Sequence, residues 1–223
     1  MASFARLPCH ALGKAVGRFG RPLPVAWTSP LAVRLGSSAV DSLPTLHVGI
    51  VGYGLVGKEL VSQIVKSAES LRAELGVNVE VSAVARSKTM VFLGLGGHSA
   101  LTAGAWPGED EPLDLDKLGK HLTAAAASSG GRAVVVDNTA SDAPVDFYEG
   151  WLAAGLDVAT PNKRAGSGPW DRYDKIMKAT KTGGSRFMYE ATVGAGLPII
   201  APLQTLRRAG DDVKVVEGIF SGT

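Results

Sequence analysis

The sequence predicts an α/β fold: a doubly wound parallel sheet with helices on both faces, followed by the start of a smaller α+β unit. Three observations predict it. Short runs rich in Val and Ile alternate with stretches whose apolar residues recur at three- and four-residue spacing. The first run, Leu46 to Val51, leads directly into Gly52-Tyr53-Gly54-Leu55-Val56-Gly57. The final run, Val213 to Phe220, is followed by Ser221-Gly222-Thr223 and no closing helix. The expected organisation is a leader over residues 1–43, a nucleotide-binding unit over 44–185, and the beginning of a second unit over 186–223.

Charge separates the first of these from the rest. The 223 residues carry 23 basic and 21 acidic side chains, for a net charge of +2. That balance argues against a nucleic-acid binder, which carries a large basic excess. Residues 1–43 hold Arg6, Lys14, Arg18, Arg21 and Arg34 against Asp41 alone, and the body from Pro44 onward sums to −2. A basic, acid-poor segment rich in Ala and Ser, ahead of the first strand, predicts a transit peptide. The expected destination is a plastid, with the mitochondrion as the alternative. The longest apolar stretch, Ala191 to Leu203, carries Pro198 and Pro202 and falls short of the ~18 residues of a membrane span. The single cysteine, Cys9, lies in the leader. The remaining chain therefore supports no disulfide framework, thiolate zinc site or cysteine nucleophile.

From Leu46 the elements follow in order. After the first strand, Val56, Leu60, Val61, Ile64, Val65, Ala68, Leu71 and Leu75 form the stripe of an amphipathic helix, and Gly76 stops it. Val77 to Ala85 is the second strand. Strand, G-x-G-x-x-G and helix in this order point to dinucleotide binding in a Rossmann-type unit. Gly52 permits the turn, Gly54 lets a pyrophosphate approach the backbone, and Gly57 lets the helix pack on the sheet. Exposed amides near Leu55 and Val56 would face the anion along the helix dipole.

The end of the second strand bears on which dinucleotide. An NAD site places an acid there for the ribose 2′-hydroxyl. This chain has Ala85-Arg86-Ser87-Lys88 instead. Arg86 and Lys88 can pair with a 2′-phosphate, so NADP is expected, with NAD possible. Solvated surface charges are the alternative.

Residues 89–131 show few signals. Gly94, Gly96, Gly97 and the acidic run Glu109-Asp110-Glu111 predict loops, Leu113 to Thr123 a helix, and Ala124 to Gly131 a frayed end and connector. His98 and His121 are isolated from any second metal ligand. Ala133 to Val136 is a buried-type strand ending in Asp137-Asn138-Thr139-Ala140-Ser141. Thr139 and Ala140 stand where a nicotinamide ribose would lie, although Ser141, Asp142 and Pro144 equally suit a helix start. Leu156 to Ala159 leads to Thr160-Pro161-Asn162-Lys163. Lys163 could serve a carbonyl substrate or a cofactor phosphate, or be a surface lysine. Trp170 to Thr180 reads as a helix, Arg186 to Tyr189 as a strand. Glu190 to Pro198 is a loop into a further helix, with Pro198 in its first turn.

Four segments together carry a resemblance: Gly52 to Gly57, Thr160-Pro161-Asn162-Lys163-Arg164-Ala165, Tyr189 to Pro198 (YEATVGAGLP) and Glu217 to Thr223 (EGIFSGT). In order and spacing they resemble homoserine dehydrogenase, over about residues 46–223, in a monofunctional plant or algal type. The resemblance implies reduction of L-aspartate 4-semialdehyde to L-homoserine with NADPH or NADH, on the route to threonine, isoleucine and methionine. It implies that amides around Tyr53, Leu55 and Val56 hold the pyrophosphate, that Lys163 lies near cofactor and substrate and that Thr139 contacts the nicotinamide side. It further implies a monovalent cation site, usually sodium, at Glu190 and the carbonyls of Val193, Ala195 and Leu197, and a homodimer joined through the substrate domain. Members of the family continue past the position matching Thr223 into residues that grip homoserine and a general-acid lysine. The resemblance thus implies a C-terminally truncated enzyme. The alternative reading is a non-catalytic NADP-binding fragment.

Overall fold

The computed structural model describes residues 43–220, apart from 95 and 103. The expected leader, Cys9 included, lies outside the described residues but for Leu43. Strand β1 (Thr45–Val51) is buried from His47 onward. Its alternating side chains serve two cores, Val48 and Ile50 packing into one and Val51 into the other. A strand buried on both faces requires helices on both faces. Helix α1 (Leu55–Leu75) supplies one layer through Gly57, Val61 and Ile64, and ends on Gly76 in the left-handed conformation, its amide on the Arg72 carbonyl. Strand β2 (Asn78–Ala85) then pairs parallel with β1, from Thr45 opposite Asn78 to Val51 opposite Ala85.

The stretch expected to be loops contains two strands. β3 (Thr89–Phe92) folds back antiparallel on β2, with Ala83 opposite Phe92. The turn is closed by the Arg86 amide on the Thr89 carbonyl, 2.7 Å. After a short helix, α2 (His98–Thr102), β4 (Glu111–Pro112) pairs antiparallel with β3. The sheet is therefore mixed rather than wholly parallel. Strands of four and two residues are too short to show a period, although Met90 and Val91 are fully buried.

Helix α3 (Leu115–Ser129) starts at Asp114, whose carboxylate accepts the Lys117 amide at 2.8 Å, and runs on to Gly130. The expected frayed connector at Ala124–Ser129 is thus the last two turns of this helix. Alanine is the strongest helix former, and the Ser128 and Ser129 hydroxyls donate back to the Ala125 carbonyl at 2.9 and 3.0 Å within the helix. β5 (Arg132–Asp137) pairs parallel with the other edge of β1. There follow α4 (Val145–Ala153), β6 (Asp157–Ala159), α5 (Arg164–Ser167), α6 (Trp170–Gly183) and β7 (Phe187–Met188). A single 3₁₀ turn at Glu190–Thr192 leads to α7 (Ile200–Arg208). The sheet order is β4-β3-β2-β1-β5-β6-β7. At its far side the buried Asp157 carboxylate accepts from Arg132 Nη2 at 3.0 Å and from the Arg186 amide at 2.7 Å, joining β5, β6 and β7.

Val213–Phe220, expected as a strand, has no regular structure among the described residues, and Ile219 is 88% exposed. β-propensity alone supplies no partner for backbone N–H and C=O groups. No described strand runs alongside. No described helix is long and apolar enough to cross a membrane.

Candidate functional site

The chain leaves β1 for β2 on one side and later returns to β5 on the other. Ligands in open α/β sheets bind at such a reversal, beyond the carboxyl ends of the strands. A cleft of about 520 Å³ opens there, lined by Gly52, Tyr53, Gly54, Arg86, Thr139 and Ser141 among others. A neighbouring cavity of about 580 Å³, over Glu111, Asp114, Lys117 and Phe147, contains none of the glycine loop.

The loop's shape follows from its glycines. Gly52 has φ +90°, and a Cβ there would fall 2.8 Å from Thr139 Cγ2. A Cβ on Gly57 would fall 2.4 Å from the Gly52 carbonyl oxygen, so α1 can approach the loop only without one. Around Gly54 a Cβ would meet nothing within 4 Å, and this residue faces the cleft. The amides of Gly52 and Tyr53 both donate to the Ala85 carbonyl, at 3.0 and 3.2 Å, which fastens the loop to β2. Helix α1 begins at Gly54 with no side-chain cap and no acid in its first turn. Its leading amides, near Leu55 and Val56, therefore keep their donors and the positive end of the dipole for an anion. This donor set fits a pyrophosphate. Nearby, the buried Asn138 Nδ2 has no partner among the described residues.

The expected site residues divide. Gly52, Tyr53, Gly54, Arg86 and Thr139 share the cleft wall, and Leu55, Val56 and Gly57 begin the helix at its edge. Lys88 and Ala140 are exposed neighbours of Arg86 and Thr139 and do not line the cleft. Lys163, exposed at the start of α5, also lies outside its lining.

The Glu190 segment forms a separate structure. The Glu190 carboxylate accepts the amides of Ile199, Ile200 and Ala201 at 2.6, 2.8 and 2.8 Å. It is a cap supplied from outside α7, and Pro198 precedes the helix rather than entering its first turn. In the loop between, Gly194 and Ala195 take φ of +70° and +53°, Ala195 being the only described non-glycine with positive φ. Desolvation works against the Glu190 charge, but the three amides outweigh it and hold the carboxyl below the usual glutamate range. A depressed carboxyl contributes stability that is present above its ordinary pKa and lost as pH falls through the lower folded value. Acidification through that lower folded value should therefore release the cap. Amide exchange at Ile199, Ile200 and Ala201 should accelerate there ahead of the α1 amides, and Glu190→Gln should remove that difference.

One cluster has no counterpart among the expected site residues. Asp137, at the end of β5, is fully buried. Its carboxylate accepts the Thr139 amide at 2.8 Å, the Tyr148 hydroxyl at 2.6 Å and Asn162 Nδ2 at 2.9 Å. Thr160 Oγ1 donates to the Asp137 carbonyl at 2.7 Å, and Asn162 Nδ2 also reaches the Ser141 carbonyl at 2.8 Å. The loops carrying Thr139 and Lys163 are thereby tied to one buried carboxylate. The available signal is a charge closing the apolar run Ala133 to Val136.

Comparison with known proteins bears on this geometry. Residues 52–190 match the family model for the homoserine dehydrogenase NAD-binding domain. The chain is 40% identical over 182 residues to the chloroplastic bifunctional aspartokinase/homoserine dehydrogenase 1 of Zea mays, covering 82% of this chain and 20% of that one. It is 38% identical over 191 residues to the homoserine dehydrogenase of Schizosaccharomyces pombe, covering 82% and 48%. The chain thus spans about half the length of the monofunctional relatives and a fifth of the plant bifunctional ones. Among solved structures, a Candida auris protein of unknown function superposes with TM-score 0.63 at 34% identity, covering 76% of this chain and 45% of that one. A hyperthermophilic archaeal homoserine dehydrogenase in complex with NADPH superposes with TM-score 0.54 at 23% identity, covering 71% and 48%, and shares the fold.

Proposed function

This chain belongs to the homoserine dehydrogenase family, and we propose on that footing that its cleft binds NADPH for the reduction of L-aspartate 4-semialdehyde to L-homoserine. The observation that carries the reading is the uncapped, acid-free start of α1 behind Gly54, with Arg86 on the same cleft wall and no acid at the end of β2. The amides near Leu55 and Val56 hold the pyrophosphate, and Arg86, with Lys88 beside it, meets the 2′-phosphate. Thr139 on the cleft wall, with Ala140 next to it in the chain, borders the nicotinamide ribose, and Lys163 on the adjoining loop serves the substrate. When bound, the dinucleotide supplies the hydride that the aldehyde carbon receives.

Relatives and residues support the remaining parts. Sodium, or another monovalent cation, is held by Glu190 with the carbonyls of Val193, Ala195 and Leu197. Oxygen donors suit a hard cation, and among the described residues these three carbonyls accept no backbone hydrogen bond. Residues 1–43 form the transit peptide, residues 44–185 the dinucleotide unit and 186–223 the start of the substrate and dimerisation unit. The chloroplastic plant relatives favour a plastid.

The test is calorimetric titration of the 223-residue chain with NADPH and NADH, alongside NADP reduction by L-homoserine. NADPH should bind more tightly than NADH, and reduction driven by homoserine would establish the catalytic half of the proposal. Binding without turnover would remove the catalytic half of the proposal, and failure to bind either dinucleotide would remove all of it.

A further inference from the structure

On the proposed reading of the cleft Arg86 meets the group by which NADP and NAD differ, yet it is exposed and forms no ion pair among the described residues. An isolated exposed arginine is a poor discriminator, because fixing a long side chain on an anion costs rotamer entropy. Here an indole holds the guanidinium. The Arg86 guanidinium carbon lies 3.6 Å from the ring centroid of Trp106. Trp106 is itself held on two sides. Its Nε1 donates to Asp110, and its ring meets Tyr53 of the glycine loop at 5.7 Å between centroids. Tyr53 is anchored in turn by its hydroxyl on the Leu101 carbonyl, 3.4 Å.

Stacking on a ring face fixes the plane of a guanidinium without using any of its N–H donors. A carboxylate partner would fix it too, but would occupy the fork and repel a phosphate. We propose that Trp106 is a positioning residue for cofactor choice: it holds Arg86 flat at the cleft so that the N–H fork stays free for the 2′-phosphate of NADP. The segment between β3 and β4 thereby acquires a role, as the arm that carries Trp106 to the end of β2. This inference rests on the reading that the cleft takes a dinucleotide through Arg86.

Titration calorimetry of the full chain with NADPH and with NADH separates the possibilities. Trp106→Ala should weaken NADPH by about 3- to 10-fold, the range of a partly desolvated cation–π contact, and change NADH by less than about twofold. Trp106→Phe, which keeps a ring face, should retain most of the NADPH affinity. Arg86→Ala should lose NADPH affinity selectively, and the double variant should be no weaker than Arg86→Ala alone, because the indole acts only through Arg86. If Trp106→Ala does not fold, Asp110→Ala, which frees the indole edge, should give a smaller loss that is again confined to NADPH. The proposal is overturned by an equal loss for both cofactors, which would make Trp106 an adenine contact or a fold determinant. Unchanged NADPH affinity, or additive losses in the double variant, overturns it as well. Binding of neither cofactor by the unsubstituted chain would instead overturn the underlying assignment of the cleft.

Discussion

Gly57→Ala should both destabilise the fold and abolish tight dinucleotide binding, whereas Gly54→Ala should abolish binding alone. The two glycines sit three residues apart in one loop, but different atoms set their requirements. At Gly57 a Cβ would lie 2.4 Å from the Gly52 carbonyl oxygen, and that oxygen belongs to backbone. No rotamer change relieves such a contact. Either α1 retreats from the sheet or the turn at Gly52 opens, and Gly52 is already tied to Ala85 and close against Thr139. Overpacking of this kind costs about 1–3 kcal/mol. Retreat of α1 also withdraws the amides near Leu55 and Val56, so NADPH affinity should fall by about tenfold or more, each lost charge-assisted bond being worth ~1.5–3 kcal/mol. At Gly54 no protein atom lies within 4 Å of the added Cβ, and φ −91° is open to alanine. Urea unfolding should then match the unsubstituted chain to within about 0.5 kcal/mol, as for a surface change. The methyl group would occupy only the space the pyrophosphate needs. Equal NADPH affinity in Gly54→Ala would sink the assignment of this loop as the phosphate cradle.

The same loop shows what a sequence can disclose. β1, the glycine turn, α1 and β2 were legible because long apolar periods and obligatory glycines are local signals. Gly52, Gly54, Arg86 and Thr139 meet in the cleft because strand ends meet there in any sheet of this winding. β3 and β4 were not legible. They are short, and their pairing depends on a turn whose polar Arg86-Ser87-Lys88 resembles a loop. The alanines of α3 read as a connector because composition carries no direction, whereas the helix is fixed by Asp114 at one end and Gly130 at the other. Val213–Phe220 failed the opposite way: its residues favour a strand, but strand formation is decided by a neighbour. The Trp106–Arg86 stack spans 20 residues of chain across a segment without periodicity, so neither residue signals the other. Glu190 was expected as a cation ligand from resemblance, and its capping of α7, nine to eleven residues onward, has no short-range signature.

Asp137→Ala should destabilise the fold by about 3 kcal/mol or more, since it removes the shared acceptor of three donors at ~1–3 kcal/mol each. The fully buried side chain accepts from Thr139, Tyr148 and Asn162; without it the Thr139 amide loses its acceptor and Asn162 Nδ2 keeps only the Ser141 carbonyl at 2.8 Å. Tyr148 would retain only Thr160 Oγ1 at 3.2 Å. Because Thr139 lines the cleft and Asn162 precedes Lys163, loosening this carboxylate should also weaken NADPH binding in whatever fraction remains folded. Tyr148→Phe is the milder counterpart and should cost about 1 kcal/mol, one hydrogen bond, since Thr160 still reaches the Asp137 carbonyl. Its distinguishing readout is alkaline. Burial, and then the neighbouring Asp137 carboxylate, push the Tyr148 phenol well above its ordinary value. Ionisation therefore favours the unfolded chain, where tyrosine titrates near pH 10. The contribution is whole below about pH 10 and is lost above it at about 1.4 kcal/mol per pH unit until the folded value is reached. Tyr173, pushed up to about 12 by burial and by Tyr189, adds a share of its own. Urea unfolding between pH 9 and 11 should thus show a falling limb in the unsubstituted chain and a shallower one in Tyr148→Phe. Identical limbs would mean that the Tyr148 phenol is not held buried beside Asp137.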